Sequence, residues 1–400
     1  MNFSGRSPLL AGCLALFATG TGCSSSEDSA SAPASLSCGT TKVATDANGV
    51  RGALGGAATG TCVVMNGASF VGPFSVPAGV ALTAPSGKRV SITGGTTTEP
   101  AVTLANGAEL VNADVSGAPG VGVAVRGASA TIESVHVTGA KTAALGVLCS
   151  DGCDSGMIVL TDVTLEKSKL GLWVHGARVT MNGGHSSLHD GTIGVASGLG
   201  IVVEGGAQLT LDGVTVEKNQ GTGILIDGEK TTATVKRSTV SENAERGVWV
   251  QHVAGSIDAP AVRIENSNFV RNKIVGLGGL EARGIIVVGG RIADTVASPM
   301  SPNNIATQVE VGDGVGLFGN STDWKIDGSI IESNARAAGV IDGSDHGIIV
   351  VGGTVAAGPS GLKFVVQKTT ADVQISATDT SVTATPLYVS APVIGLPPVF

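Results

Sequence analysis

The sequence predicts an all-β solenoid in which short strands wind into stacked coils, that is, a parallel β-helix. Composition is the first reason. Glycine supplies 60 of the 400 residues, while 3% are aromatic and 14% are charged, which suits short strands joined by tight turns better than helices. The second reason is a recurring motif in which asparagine follows an apolar residue by three positions. The third is that three strand-like segments fill each interval between its copies.

The asparagine motif has four clear copies. Their apolar anchors are Val216, Val240, Phe269 and Ile331, and their asparagines are Asn219, Asn243, Asn272 and Asn334. The anchors are 24, 29 and 62 residues apart. The last interval equals two periods of 31, which predicts a hidden anchor at Met300 followed by Asn303. Degenerate earlier copies are expected to begin at Val115, Val137, Leu165 and Leu188.

Within one period, residues 223–228, 233–238 and 239–243 are predicted strands, and residues 247–252, 262–267 and 268–272 repeat the pattern. Each such coil can bury its apolar side chains only against its neighbours. Asparagine tolerates the left-handed turn conformation, and its amide can bond to the asparagine of the coils above and below. We therefore expect the recurring asparagines to form an internal ladder rather than a catalytic group.

This layout resembles the right-handed parallel β-helix of the pectin-lyase-like superfamily, including its repeat-only members, over about residues 60 to 385. No six-residue period supports a left-handed hexapeptide helix. Enzymes of the superfamily use clustered aspartates with an arginine base, or several aspartates with a Gly-His-Gly motif. The nearest fragment here, Ser344-Asp345-His346-Gly347, lacks companion motifs. Asp342 and Asp345 could serve as acid and base, but no spacing selects them, so the catalytic residues are left unassigned.

Residues 1–22 are interpreted as a secretory signal. Arg6 precedes a short apolar stretch, and small residues lead to Cys23. The end resembles the lipobox of bacterial lipoproteins, although Gly20 stands where leucine is usual. We expect lipid on Cys23, a flexible tether over residues 23–41 and anchoring in the outer membrane, which Ser24 favours by the same resemblance. Leu10-Ala11-Gly12-Cys13 matches the motif locally, but only about three apolar residues precede it.

The four remaining cysteines are Cys38, Cys62, Cys149 and Cys153. An even number in an oxidising compartment predicts disulfides, and three connectivities exist. A Cys38–Cys62 bond would staple the entrance to the domain, and Cys149–Cys153 would close a small loop. A metal site at Cys149 and Cys153 is the disfavoured alternative, because thiolate metal sites belong mainly to reducing compartments.

The two ends of the solenoid are expected to be capped. Val50, Leu54 and Ala57 follow Asp46 at helical spacing, which predicts a short amphipathic cap helix over residues 46–58. Residues 76–82 resemble the first coil of such proteins. The β-helix is placed at residues 42–385, and the apolar, proline-rich residues 386–400 are a separate tail that cannot be a central strand.

One outward strand position is unexpectedly apolar. It is predicted to comprise Ala124, Leu148, Trp173, Val202, Leu225, Trp249, Ile286, Phe318 and Ile349. Exposed apolar stripes are unusual on monomers, so we hypothesise that the tail covers part of it. Trp173 and Trp249, with nearby polar residues, form a candidate sugar-binding groove; packing under a tail or loop is the alternative. The polar residues are Arg126, His175, Glu204, Asp227 and Gln251.

A second outward position is mostly acidic, comprising Glu133, Asp162, Asn182, Asp212, Lys236, Glu265 and Asp327. Oxygen ligands suit calcium, but Lys236 interrupts the run, so a solvated face is favoured and no metal or other cofactor is expected. The net charge of −8 offers no basic face for nucleic acid.

The leading functional interpretation is a non-enzymatic lipoprotein scaffold of the cell envelope. Its expected partners are the membrane, through the lipid anchor, and a polysaccharide or an envelope protein. A polysaccharide lyase or glycoside hydrolase is the first alternative, disfavoured by the scarcity of aromatic and charged residues. A structural or adhesin component that self-associates through the apolar stripe is the second.

Overall fold

The coils predicted from the repeat are present in the computed structural model, which describes residues 38–149, 156–190, 198–300, 309–343, 348–359, 361–367 and 382–384. All of them belong to one of the two compact units of the chain, Pro33–Phe400. Within these ranges the structure has a single helix, and the other regular elements are strands. The all-β class is confirmed.

The helix is α1 (Ala47–Gly55). The strands of the first half are β1 (Thr40–Ala44), β2 (Thr61–Met65), β3 (Ser69–Val71), β4 (Phe74–Val76), β5 (Ala81–Thr83), β6 (Val90–Thr93), β7 (Val102–Leu104), β8 (Ala108–Ser116), β9 (Val123–Val125), β10 (Ala130–Thr138), β11 (Ala143–Leu148), β12 (Ile158–Thr161), β13 (Thr164–Glu166), β14 (Leu170–His175), β15 (Arg178–Asn182), β16 (His185–Ser187), β17 (Leu199–Glu204) and β18 (Gln208–Asp212).

The strands of the second half are β19 (Thr215–Glu217), β20 (Ile224–Asp227), β21 (Thr232–Lys236), β22 (Thr239–Ser241), β23 (Arg246–Gln251), β24 (Val262–Glu265), β25 (Asn268–Val270), β26 (Ile274–Leu280), β27 (Arg283–Val288), β28 (Arg291–Ala293), β29 (Ser298–Met300), β30 (Val309–Phe318), β31 (Thr322–Asp327), β32 (Ile330–Glu332), β33 (Ala337–Asp342), β34 (Ile348–Val351), β35 (Thr354–Val355), β36 (Leu362–Gln367) and β37 (Val382–Ala384).

Each regular coil contributes three strands to two parallel sheets. In one coil, β17 pairs with β20 of the next coil, β18 with β21 and β19 with β22. Among the described residues, one sheet has 23 strands and takes two strands from each coil; we call it sheet A. The other has 14 strands and takes one strand from each coil; we call it sheet B. The parallel pairing confirms the solenoid prediction.

The core lies inside the coils and is filled by alternate strand residues. In sheet B, Ile201 and Val203 face Ile224 and Ile226 of the next coil, and all four are completely buried. Burying one such aliphatic side chain contributes about 1.5–3 kcal/mol. Since this gain comes from contacts between adjacent coils, an isolated coil could not hold its strands together.

The asparagine ladder inside the turns is confirmed. Asn219 Nδ2 donates to Asn243 Oδ1 at 2.8 Å, and Asn243 Nδ2 donates to Asn272 Oδ1 at 2.8 Å. Each Oδ1 also accepts the backbone N–H of the preceding asparagine, at 3.2 Å. These side chains are 0–1% exposed. The ladder therefore satisfies buried polar groups that would otherwise cost about 1–3 kcal/mol each.

The hidden anchor predicted at Met300 is wrong. Ile292 pairs with both Phe269 and Ile331 and is the true anchor. The interval of 62 residues therefore divides into 23 and 39, because the second coil contains an excursion in which β29 pairs antiparallel with β30. Thr295 occupies the ladder position, and its N–H donates to Asn334 Oδ1 at 3.2 Å. Asn303 lies outside the described residues.

Among the earlier copies, Val115, Val137 and Leu165 lie in register and are confirmed as anchors. Leu188 is wrong, since Ser186 pairs with Leu165 and with Val216. A serine at an anchor position carries no apolar signal. The neighbouring leucine is 41% exposed and adopts a left-handed backbone conformation with φ 57°.

The amino-terminal cap is confirmed. The Asp46 side chain accepts a hydrogen bond from the N–H of Gly49 at 2.8 Å, and Val50 and Leu54 of the helix are buried. Cys38 and Cys62 form the predicted disulfide. Cys149 is also disulfide-bonded, while Cys153, Cys13 and Cys23 lie outside the described residues. In the described part of the chain, no helix is long and apolar enough to cross a membrane.

Candidate functional site

The apolar stripe predicted from the sequence lies on the outer face of sheet B. Neighbouring strands place Ala124, Trp173, Val202, Leu225 and Trp249 at or beside one column. The next positions in the same register are Gly278, Gly316, Val340 and Val365. We call this column and the side chains packed with it the outer apolar face.

Four residues assigned to the stripe lie elsewhere. Leu148 and Phe318 pair with His175 and Leu280, which places them in the adjacent column of sheet B. Ile286 and Ile349 both pair with residues of sheet A. The error arises because the Gly-Ile-Ile-Val runs at 284–287 and 347–350 resemble the Gly-Val-Trp-Val run at 247–250, which lies in sheet B.

Both indoles of the outer apolar face are buried, Trp173 at 0% and Trp249 at 1% exposure. The Trp249 ring lies over Gly278, where an added Cβ would be 2.6 Å from its Cζ3 atom. The Phe318 ring is 5.8 Å away, and the Arg246 guanidinium lies 4.5 Å from the Trp249 ring centroid. The burial of Trp173 and Trp249 favours the packing alternative, and sugar binding at these residues stays an untested prediction.

The predicted polar neighbours come together beside the indoles. His175 pairs with Glu204, and Asp227 pairs with Gln251, in one column of sheet B. Glu204 Oε1 accepts from Trp173 Nε1 at 2.8 Å and lies 3.4 Å from His175 Nδ1. Asp227 Oδ1 lies 2.8 Å from Nδ1 of His252.

Most side chains of this column are engaged in hydrogen bonds within the protein. Glu204 and Asp227 are 3% and 6% exposed, and both are hydrogen-bonded. Gln251 accepts from Trp249 Nε1 at 3.0 Å. The imidazoles of His175 and His252 retain 29% and 40% exposure, so a ligand would reach these rings and not the carboxylates. Arg126 is exposed at the end of β9.

Two buried ion pairs lie on the same face of sheet B. Arg336 donates to both carboxylate oxygens of Asp313, at 2.8 and 2.5 Å. Burial raises the pKa of Asp313, and the Arg336 bonds oppose this rise. Burial likewise lowers the pKa of Arg246, which lies 3.4 Å from Glu245. Moving both charges of such a pair out of water costs free energy that their attraction returns only in part. These pairs therefore fix the positions of their side chains on the face and contribute little to the stability of the fold.

An exposed polar row, which the sequence analysis missed, lies on the outer face of sheet A. We call it the imidazole row; it consists of Asp114, His136, Glu166, His185 and Glu217. His136 lies between two carboxylates, with Nδ1 3.9 Å from Asp114 and Nε2 3.5 Å from Glu166. His185 Nε2 lies 3.6 Å from Glu217. Side-chain exposures of 23–43% leave the row partly accessible, although the Nε2 atom of His136 is itself buried.

Three cations flank the imidazole row. Arg89 contacts Asp114 at 2.6 Å, Lys167 contacts Glu166 at 3.9 Å and Lys218 contacts Glu217 at 3.1 Å. Each acid of the row therefore has a basic neighbour, and the surface offers donors and acceptors of both signs. At neutral pH this arrangement selects strongly for neither a polyanion nor a polycation.

A sequence signal for the imidazole row does exist. Asp114, His136, His185 and Thr215 each come immediately before the anchor residue of their repeat, in one register. A residue next to an inward anchor must face outward. Reading that position coil by coil would have found the two histidines, but His185 was hidden by the misplaced anchor at Leu188.

The acidic column of sheet A is a solvated, ion-paired face. Asn182, Asp212, Lys236 and Glu265 are consecutive in register. Thr161, and not Asp162, pairs with Glu133. Arg237 contacts Asp212, and Lys236 lies 3.5 Å from Glu265. Within the described ranges, no group of three or more His, Cys, Asp or Glu residues could hold a metal ion. Of the superfamily-like fragment, Asp342 is buried on β33, while Asp345 and His346 lie outside the described residues.

Comparison with known proteins identifies the fold. Residues 101–293 match the family model "Right handed beta helix region". The A-module of mannuronan C-5 epimerase AlgE6 from Azotobacter vinelandii is similar at 15% identity and a TM-score of 0.56, over 84% of this chain and 97% of that one.

Two further solved structures share the fold. The AlgE4 A-module from the same organism is 13% identical with a TM-score of 0.57, over 82% of this chain and 96% of that one. The Dettilon tailspike protein gp208 is 13% identical with a TM-score of 0.54, over 80% and 64%. No match to this chain was found among curated protein sequences. At these identities the likeness concerns the fold.

Proposed function

Because the chain is a right-handed parallel β-helix of the pectin-lyase-like superfamily, we propose that it is a carbohydrate-contacting scaffold of the cell envelope. The imidazole row of sheet A is the contact surface in this proposal. The column around Trp173 and Trp249 is less suitable, since its indoles and carboxylates are buried.

The observation that carries the proposal is the arrangement of the imidazole row. Its imidazole and carboxylate side chains are partly accessible and alternate from coil to coil along sheet A. Imidazole and hydroxyl groups can both donate to and accept from sugar hydroxyls, and carboxylates accept from them. Thr164 lies between His136 and His185 in the same column, and Thr215 continues it. Coils repeat every ~4.8 Å, so an extended polymer lying along the solenoid would meet a polar group at every coil.

The solved structures with this fold support testing polysaccharides first. Two of them are modules of mannuronan C-5 epimerases. One fold hosts many activities, so mannuronan itself is only one candidate for this chain. The balanced charges of the imidazole row favour a neutral or mixed polymer over a strongly anionic one.

The test is a glycan array probed with the full-length protein and with a His136→Ala/His185→Ala double variant. We expect the double variant to bind at least about tenfold more weakly, the loss of roughly 1.4 kcal/mol. Thr96→Ala/Thr97→Ala is the matched control, because both side chains are exposed on a turn outside the column. Equal binding by the wild type and the double variant would remove the imidazole row from the proposal.

A polysaccharide lyase or glycoside hydrolase is the second candidate, and the position of His136 between two carboxylates favours it. Histidine is the side chain most often used in general acid–base catalysis, and two carboxylates flank the His136 ring. Lyase and hydrolase assays on every polysaccharide that binds distinguish the two functions. Turnover that disappears in His136→Ala would replace the scaffold with an enzyme, and binding without turnover supports the scaffold.

A further inference from the structure

The outer apolar face is buried although its side chains point away from the core. Val202 and Leu225 are completely buried, and the side chains of Trp173 and Trp249 are at most 1% exposed. In a parallel sheet the neighbouring strands lie beside a side chain at ~4.8 Å and do not cover its tip. Phe318 and Arg246 cover part of the Trp249 ring, and the complete burial of both outward indoles requires further atoms above the sheet.

Sheet B does not supply those atoms from its own backbone. Among the described residues, the hydrophobic cluster that contains Trp173 and Trp249 consists of side chains from strands of sheet B together with Val121. This cluster is separate from the one inside the coils. A covering segment should be apolar and uncharged, because the charged groups of the face already pair with one another.

We infer that residues 385–400 lie along the outer apolar face and cover its indoles. This segment has no charged residue and contains Leu387, Tyr388, Ile394, Leu396 and Phe400. Its four prolines lack the N–H that a central strand must donate and favour an extended conformation. The segment is thus suited to packing through side chains on a sheet face.

The position and length of the segment fit this role. The last described strand, β37, ends at Ala384 and pairs with β36 in sheet B. Eight strand-to-strand steps separate β37 from β14, which carries Trp173. At ~4.8 Å per step the distance is roughly 38 Å. Sixteen extended residues span about 50 Å, so the segment can reach both indoles.

The experiment measures quenching of tryptophan fluorescence by iodide in the full-length protein. The third tryptophan, Trp324, is buried inside the coils and should stay protected in every folded variant. We expect weak quenching in the wild type and a several-fold larger quenching constant in Ile394→Asp/Leu396→Asp, which places charges in the covering segment. Thr96→Asp/Thr97→Asp adds the same charge on an exposed turn and should behave as the wild type.

Two results would overturn the inference: strong quenching in the wild type, or unchanged quenching in a folded Ile394→Asp/Leu396→Asp variant. Limited chymotryptic digestion of the wild type is an independent check that needs no variant. Resistance of the bonds after Leu387 and Tyr388 supports the inference, and rapid cleavage there that leaves the β-helix intact contradicts it. Quenching that rises on dilution, with a dimer-to-monomer change in light scattering, would assign the face to a second copy.

Discussion

Among the ladder residues that the structure describes, His189 is the one with an ionisable side chain. It occupies the rung between Ser168 and Asn219: Ser168 N–H donates to its Nδ1 at 3.2 Å, and its own N–H donates to Asn219 Oδ1 at 3.2 Å. Its Nε2 lies 3.1 Å from Ser186 Oγ. Burial lowers the pKa of His189 to about 4, because the charged imidazolium would lose its hydration. The folded protein therefore keeps this imidazole neutral at mildly acidic pH.

This depressed pKa predicts a loss of stability in acid. Between pH ~6.5 and about 4 the unfolded chain binds a proton at His189 that the folded chain excludes. The free energy of unfolding therefore falls as the pH drops through that window, by ~3 kcal/mol in all, and is unaffected above it. His189→Asn should remove most of this loss, since asparagine fills the neighbouring rungs without titrating. Urea unfolding at pH 7 and pH 4.5 measures it.

The comparison variant is His136→Asn, which removes a histidine of 37% side-chain exposure. It should retain the wild-type loss of stability between the two pH values. If His189→Asn showed the same loss of stability in acid, the loss would come from other groups. The claim that the folded protein keeps His189 neutral would then be refuted.

At the scale of the strand, glycine at the start of several sheet B strands makes room for the ladder. A Cβ added at Gly223 would lie 2.7 Å from Asn243 Nδ2 and 2.6 Å from Val240 Cγ1. Gly200 and Gly247 stand in the same relation to Asn219 and Asn272. The Gly-Ile-Leu-Ile and Gly-Val-Trp-Val patterns therefore encode a close approach between a strand and the turn behind it.

Gly223→Ala is accordingly expected to lower the free energy of unfolding by about 1–3 kcal/mol, through overpacking against the ladder. Gly52→Ala is the matched substitution in open space, since a Cβ there meets nothing within 4 Å. Being inside α1, it should stabilise the protein by up to ~1 kcal/mol. Chemical denaturation compares the two. Equal changes in the free energy of unfolding for both variants would show that the close approach at Gly223 does not restrict the side chain there.

The same strand scale explains the error in the apolar stripe. Gly-Ile-Ile-Val at 284–287 has the spacing of a sheet B strand, but Ile274–Leu280 already fills that position of the coil. Periodicity gives the alternation of inward and outward residues, and that part was correct. Periodicity does not tell which of the three strands of a coil a segment forms when an excursion such as β29 changes the number of residues in the coil.

At the scale of the whole molecule, the proposed lipid anchor determines where the β-helix acts. Cys23 precedes a Ser/Ala-rich segment, and strand β1 begins at Thr40, two residues before the domain boundary expected at 42. We expect the exported protein to incorporate radiolabelled palmitate and to enter the detergent phase on partitioning. Cys23→Ser should abolish the label and leave the protein in the aqueous phase, because a lipid chain adds ~0.8 kcal/mol per buried CH₂.

Cys13→Ser is the control for this anchor and should label normally, since Cys13 lies within residues 1–22, the predicted secretory signal. If Cys13→Ser lost the label and Cys23→Ser kept it, the lipidated residue would be Cys13 instead of Cys23. An unlabelled wild type would show a secreted and unanchored β-helix.

The sequence by itself determined the solenoid, its three strands per coil, the asparagine ladder and the amino-terminal cap. Each of these follows from local patterns that repeat: inward apolar alternation, a ladder residue three positions after an anchor, and a capping Asp46 before Val50 and Leu54. The even number of cysteines predicted disulfides but left their pairing open, and the structure shows the Cys38–Cys62 bond. Contacts that recur at every coil leave a readable period.

Only the tertiary structure decided what each outward column presents. Trp173 and Trp249 follow the pattern of exposed residues yet are buried, while His136 and His185 carry no distinctive motif yet form an accessible row. Exposure depends on whether another layer of the chain lies above the sheet and on which strands are placed side by side. Those contacts join residues separated by whole coils or more, and the alternation within one strand contains no information about them.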